Sequence, residues 1–273
     1  MWSLLKDLGS SKKCKTKIIN IGLKISDSIC FDKLKVATQF NMFFCSIAEN
    51  LVNKLPPIKG KYDFIFSKKF YNDKSILTEE LVFTTVSEEK VLQMLLSLNS
   101  HKATGLDGLP AKFLIDSAAV IVKPITYIIN LSIKSGEFPD DLKRAKVVPI
   151  YKKKEKTEPG NYRPVSILSI ISKVFEKIIC EQLSEFLESN KYLYELQSGF
   201  RSSYSTDSCL IHLSDHILKQ QDKGHYTGMV ILDLQKAFDT VNHKILVSKL
   251  RAMNVSLVAV KWLSHTWETE NNW

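Results

Sequence analysis

From Lys35 to Leu55 the apolar positions fall at Val36, Phe40, Phe43, Phe44, Ile47, Leu51 and Leu55. That spacing keeps them on one helical face, and Pro56-Pro57 stops the helix. Residues 58–84 mix polar and apolar types and read as a linker packed on the outside. Ser87 is a good N-cap, with Glu88 and Glu89 in the first turn, for a helix that lines up Val91, Met94, Leu95 and Leu98. Residues 111–135 read as two helical segments joined near Pro124 and ended by Gly136 and Pro139, and their apolar character assigns them to a core. Lys146–Lys154 and Asn161–Leu168 read as two short strands joined by Glu155–Gly160, where Pro159-Gly160 is a turn signal. Ser172–Leu187 carries the clearest helical stripe: Val174, Phe175, Ile178, Ile179, Leu183, Phe186 and Leu187. Thr206 caps a helix that runs to Lys223 with Gly224 as C′. Met229–Leu232 is an unbroken apolar run after Gly228, the pattern of a strand buried on both faces. A helix built on Ile245, Leu246, Lys249, Leu250 and Met253 follows. Residues 1–33 are basic and weakly periodic, as in the end of a longer linker. The pattern decays again from Thr266. The fold class these elements give is α+β.

Composition narrows the class. The chain has 273 residues, 44% hydrophobic and 25% charged, an ordinary globular balance with room for a sizeable core. Its net charge of +9 points to a polyanionic partner, nucleic acid or an acidic membrane face. Five scattered cysteines without a CxxC pair give neither a zinc site nor a disulfide framework, and fit an intracellular, reducing compartment. The N-terminus has no apolar run of signal-peptide length. Ala118–Ile133 is interrupted by Lys123 and Pro124 and reads as too short to span a bilayer, so no membrane partner is expected.

Asp233 is the residue with the sharpest chemistry. It places a carboxylate at the end of the Met229–Leu232 run, where desolvation is costly unless a cation compensates it, and hard oxygen ligands there suit Mg²⁺. The alternative is a strand-ending Asp that caps the next element. Ser100–Pro110 sets Gly105 and Gly108 around Leu106-Asp107 after Lys102, either a loop that brings amides and a lysine to phosphate or an ordinary interhelical turn. Lys152, Lys153 and Lys154 are either a solvated loop or a phosphate contact. His212 and His216 share a helical face at i, i+4, but no Glu lies between them as in His-Glu-x-x-His, and a surface or core role is expected.

Leu232-Asp-Leu-Gln-Lys-Ala-Phe-Asp-Thr-Val-Asn-His243 resembles the first palm motif of reverse transcriptases, in the form carried by non-LTR retrotransposons of the jockey and CR1-like kind. Lys102-x-x-Gly105-x-Asp-Gly, Asn161-Tyr-Arg-Pro-Val-Ser-Ile-Leu168 and Gln197-x-Gly-Phe-Arg201 match further motifs of that family, in its order and spacing. The resemblance implies right-hand polymerase fingers with a β-hairpin, followed by a partial palm. It makes Asp233 a catalytic, metal-binding aspartate assisted by the carbonyl of Leu234, and Phe238 the steric gate against a 2′-hydroxyl. It places Lys152 or Lys153, with Arg163, on the triphosphate, a role that suits the planar fork of Arg and the point charge of Lys. Lys102, Gly105, Gln197, Gly199, Phe200 and Arg201 are implied to sit near template and primer. Asp239 and His243 read as structural, and Asn242 stands where the family usually has Asp, a change a helix cap tolerates.

The function implied is RNA-directed DNA synthesis for a mobile element, with Mg²⁺ as cofactor and RNA template, DNA primer and dNTP as partners. Residues 1–85 are expected to precede the polymerase and residues 86–273 to form its truncated domain. The sequence stops before the Pro-Gln-Gly segment and the paired aspartates that complete the family's metal site. Two-metal transfer needs several carboxylates, so the span is expected to be silent on its own, with the Met229–Leu232 strand left without neighbours. The alternative function is a non-catalytic, nucleic-acid-binding remnant of a retrotransposon. An unrelated Mg²⁺ phosphotransferase is disfavoured because Gln235 stands where a second Asp is needed. The nucleus is the compartment the resemblance implies, with the cytoplasm as the other.

Overall fold

Tyr162 shows how the hairpin predicted from sequence is anchored. In the computed structural model, which describes residues 21–25, 28–52, 79–234 and 236–267, the described residues divide into two compact units: those up to 52 with 147–166, and those in 79–146 with 167–267. The first holds β1 (Leu23–Ile25), β2 (Ser28–Cys30) and α1 (Lys33–Val52), together with most of the hairpin of β3 (Ala145–Tyr151) and β4 (Tyr162–Leu168). Tyr162 is buried with Leu23, Val36 and Phe40, and its ring stands edge-on to Phe40 at 4.9 Å. Its hydroxyl donates to the carbonyl of Lys156 at 2.7 Å, so a buried polar group keeps a partner. Lys24 N–H donates to Thr157 O at 2.9 Å, which ties the hairpin loop to β1. Asp32 caps α1 by accepting from Lys35 N–H at 2.8 Å.

β1 and β2 correct the linker expected over residues 1–33. They pair antiparallel from Leu23↔Cys30 to Ile25↔Ser28, and Leu23 is fully buried. Three-residue strands are too short for periodicity to reveal. The residues before Ile21 and most of the expected 58–84 linker lie outside the described residues.

The second unit is built on α4 (Ala118–Ser135), which packs on α2 (Glu88–Leu96), α3 (Ala111–Asp116) and α9 (Leu257–Trp267). Val122, Ile125, Ile129 and Ile133 of α4 join Phe138, Val174, Phe175, Ile178 and Trp262 in one core. The break between α3 and α4 falls at Ser117, not near Pro124. Ser117 Oγ donates back to Phe113 O at 2.6 Å and its carbonyl accepts from Val120 N–H, closing one helix and starting the next. Pro124 lies inside α4 on its exposed side, like Val120, whose carbonyl it leaves without a helical donor. At 18 residues α4 meets the length and apolar composition of a membrane span, where the sequence reading makes it too short. Seven of its residues are buried in the core of the unit, which is the position of a core helix.

Segment 81–86 is held without a strand ladder. Leu81 bridges Val255, and two side-chain amides pair with its backbone: Gln182 with Thr84 (2.8 and 3.0 Å) and Asn130 with Val86 (2.8 and 2.9 Å). α6 (Ile170–Ser189) starts at Ser169, whose hydroxyl accepts from Ser172 N–H. α7 (Thr206–Asp222) is capped by Ser205, not by Thr206: Ser205 and Ser208 cap each other's backbone N–H reciprocally. α8 (His243–Ala252) is capped by Asn242, as its sequence indicates. A four-residue helix, α5 (Asp140–Lys143), precedes β3.

Candidate nucleotide and nucleic-acid site

In the first unit, the hairpin closes where Lys152 N–H donates to Asn161 O at 2.8 Å. Tyr151 stacks edge-on to Tyr162 at 5.6 Å, and its hydroxyl donates to Lys154 O. Lys154 holds φ +72°, a left-handed position that reverses the chain after the lysine run. Lys156 lies 5.5 Å over the Tyr151 ring. Lys152, Lys153 and Arg163 are exposed, and no described carboxylate pairs with them. Arg163 follows the buried Tyr162 on the strand, so alternation turns its guanidinium outward. The hairpin therefore offers three uncompensated cations at one end, an arrangement that attracts phosphate.

In the second unit, Gly105 is buried against the junction of β4 and α6. A Cβ there would lie 2.7 Å from Ser169 N and 3.0 Å from Leu168 C, so the backbones touch and only glycine fits. Gly108 takes φ +68°, and Asp107 Oδ1 accepts from Leu109 N–H, an Asx turn. Lys102 is exposed at the loop's start. This loop has a packing reason for Gly105 and a free lysine beside it.

The Gln197–Arg201 loop is organised by an ion pair absent from the sequence reading. Arg201 forks onto Glu188, Nε to Oε1 at 2.8 Å and Nη2 to Oε2 at 2.7 Å. Its Nη1 donates to the carbonyls of Tyr194, Glu195 and Gln197 at 3.1–3.3 Å, and Tyr204 lies 4.4 Å beneath its guanidinium. The hydrogen bond from Arg201 holds the Glu188 carboxyl below the usual range and raises Arg201 in turn. Glu188 sits thirteen residues away at the end of α6, a distance no local spacing rule reveals. Gln197 Nε2 donates to Gly199 O at 3.0 Å. Gly199 meets nothing within 4 Å of a would-be Cβ.

Phe200, at φ +60°, is 92% exposed, and its ring meets that of Phe238 edge-on at 5.9 Å. Two motifs far apart in sequence are thus brought together. A bulky residue in the left-handed region with an unburied ring is costly twice over.

Asp233 and Leu234 are exposed. The strand expected over Met229–Leu232 is not formed: those side chains are 57–85% exposed, and no described strand pairs with them. An apolar run becomes a central strand only where neighbours saturate its backbone on both sides, and the described residues supply none. The desolvation argument for a cation at Asp233 therefore does not apply in this span. The turn beyond it, 236–240, is held by Thr240 Oγ1 donating to Lys236 O at 3.2 Å and by a 4.0 Å Lys236–Asp239 contact. His243 packs 5.6 Å from the Trp267 ring. His212 and His216 are exposed on α7.

Among the described residues no group of three or more His, Cys, Asp or Glu is placed to hold a metal. A single exposed carboxylate does not meet the six oxygen ligands of Mg²⁺, still less a metal pair. These residues alone do not fit the ion, and no step is derived through it.

Residues 150–272 match the family described as reverse transcriptase (RNA-dependent DNA polymerase). The chain is 32% identical over 181 residues to the probable RNA-directed DNA polymerase from transposon BS of Drosophila melanogaster, covering 65% of this chain and 20% of that protein. It is 29% identical over 177 residues to the RNA-directed DNA polymerase from mobile element jockey of the same species, covering 63% and 19%. It is 27% identical over 194 residues to the Pol polyprotein of retrotransposable element R2DM, covering 69% and 17%. The chain thus spans about a fifth of the length of these relatives.

Proposed function

We propose that this chain, a reverse transcriptase of the jockey-like kind by its matched segment and its relatives, is the portion of an RNA-directed DNA polymerase that grips template, primer and incoming nucleotide. Its fold is then the fingers and the first part of the palm, with the polymerase portion beginning near residue 86. The observation that carries the reading is the hairpin end, where Lys152, Lys153 and Arg163 are exposed and no described carboxylate pairs with them. In the fingers role they hold the triphosphate, and the loops that carry the exposed Lys102 and residues Gln197–Arg201 contact template and primer, with the buried Gly105 holding the first of these loops in place. Phe238 is the gate against a ribose 2′-hydroxyl, beside Asp233 and the Leu234 carbonyl.

Templated nucleotidyl transfer by two Mg²⁺ ions is the chemistry of the whole polymerase in this reading. In this span Asp233 is one carboxylate of that site, and the span is silent by itself. The polymerase acts on a mobile element's RNA, and the nucleus is the compartment where its product is used.

The test is equilibrium binding of an RNA–DNA hybrid across salt concentrations. The reading expects binding whose log–log salt slope falls by about one for each phosphate-contacting lysine or arginine removed. Removing Lys152, Lys153 and Arg163 should weaken dNTP capture by the hybrid complex more than hybrid binding itself. Absence of salt-dependent binding by the parent chain contradicts the reading. Binding without dNTP capture favours the second reading, a non-catalytic nucleic-acid-binding remnant, which rests on the net charge of +9.

A further inference from the structure

The loop between α6 and α7 is unusual in its backbone. Lys191, Phe200 and Ser203 all hold positive φ, at 54°, 60° and 66°, and none of them is glycine. Such positions persist only where the surroundings over-determine them. The Arg201 side chain ties this loop to α6 and to itself. Its guanidinium satisfies both oxygens of Glu188, gathers the carbonyls of Tyr194, Glu195 and Gln197, and rests on the Tyr204 ring. The Arg201 side chain is 11% exposed. Its Nε, Nη1 and Nη2 each donate to a protein oxygen, and little of its surface is left for a phosphate.

We propose that Arg201 and Glu188 form a clamp that positions Phe200 edge-on to Phe238, and that Arg201 is a positioning residue and not a ligand of template or primer. The clamp rests on the reading of this chain as a nucleic-acid-binding polymerase segment only for the role of the displayed ring; its mechanics are internal to the protein. Glu188 closes the clamp from the end of α6, so the loop is fastened to a helix whose N-terminal half lies in the core of its unit. The consequence is a sign that separates the two roles. For a phosphate ligand, removing the neighbouring carboxylate helps binding or leaves it unchanged. For a clamp, removing either partner harms it equally.

The experiment uses the full chain and the variants Arg201→Gln, Glu188→Gln, the double variant and Arg201→Lys. Binding of an RNA–DNA hybrid is measured from low to high salt, and chymotryptic cutting after Phe200 is timed in the same samples without nucleic acid. The clamp predicts that each Gln variant weakens hybrid binding several-fold with an unchanged salt slope. The double variant is no worse than either single. Arg201→Lys, which keeps the charge but loses the fork, recovers only part of the affinity. Cutting after Phe200 speeds up several-fold in both Gln variants. A salt slope lowered by about one in Arg201→Gln, with equal or tighter binding in Glu188→Gln, overturns the proposal. So does a cutting rate unchanged in both. If Arg201→Gln melts below the assay temperature, Glu188→Gln decides by the same criteria. If the parent does not bind the hybrid, the function proposed above fails while the cutting rates still decide the clamp.

Discussion

The ring of Phe200 stands edge-on to the ring of Phe238, centroids 5.9 Å apart and planes at 87°. One comes from a loop before α7 and the other from the turn before α8, so the contact couples two segments 38 positions apart. Edge-to-face pairs contribute about 0.5–1.5 kcal/mol beyond burial, and this exposed one belongs at the low end. If Phe238 gates the sugar, Phe238→Ala narrows the preference of the hybrid complex for dNTP over rNTP. Phe200→Ala narrows it by about twofold, since it removes only the support. Equal dNTP and rNTP binding in the parent contradicts the gate.

Gly105→Ala is expected to cost about 1–3 kcal/mol, because the added methyl meets backbone, not a yielding side chain. Gly108→Ala has open space around it and carries only the left-handed penalty, about 1 kcal/mol. Thermal melting of the two variants should rank them in that order. A reversed order contradicts the packing at Ser169.

Glu188 has a carboxyl lowered by its Arg201 hydrogen bond. The stability it contributes is therefore present above its unfolded value, near 4.5, and lost as pH falls through the lower folded value. Melting followed from pH 7 down to below 4 should show parent and Glu188→Gln converging in the acid range. Parallel curves throughout contradict a native-state pairing.

Glu176 shows the opposite sign. Burial raises its carboxyl, outweighing the hydrogen bond from Ser172 and the nearby Lys173. A carboxyl raised in the folded state favours folding at low pH, and that contribution is lost as pH rises through the raised value. Glu176→Gln should raise the melting temperature at neutral pH and lose its advantage below about pH 4.5. Destabilisation at neutral pH shows that the charge has a partner in solution.

Met229–Leu232 is an exposed apolar run with which no described strand pairs, the composition of an aggregation-prone strand. Ile231→Lys should keep the chain monomeric to higher concentration while shifting stability by no more than about 0.5 kcal/mol. Amide exchange across 229–234 should be complete within seconds. Slow exchange there contradicts the exposed arrangement.

Much of the fold was legible because its signals are local. The Ser87 and Asn242 caps, the α6 stripe and the β3–β4 hairpin each follow from spacing and turn chemistry within a single helix or hairpin. The α3–α4 break was misplaced because Pro124 is a louder signal than the back-bonding hydroxyl of Ser117. The Met229–Leu232 strand was legible as a tendency, but a strand needs partners, and the described residues contain none. Glu188 was invisible because its meaning depends on how α6 ends relative to a loop thirteen residues later. Gly105 could be flagged as a loop glycine, yet only the contact with Ser169 shows why no other residue fits.

The most direct test of the functional account is primer extension on poly(rA)·oligo(dT) with dTTP and Mg²⁺, run beside Asp233→Ala and beside duplex binding in the same buffer. The account predicts salt-dependent binding of the duplex with no extension by either protein. Extension by the parent that disappears in Asp233→Ala contradicts it, and shows that carboxylates from another chain complete the metal site.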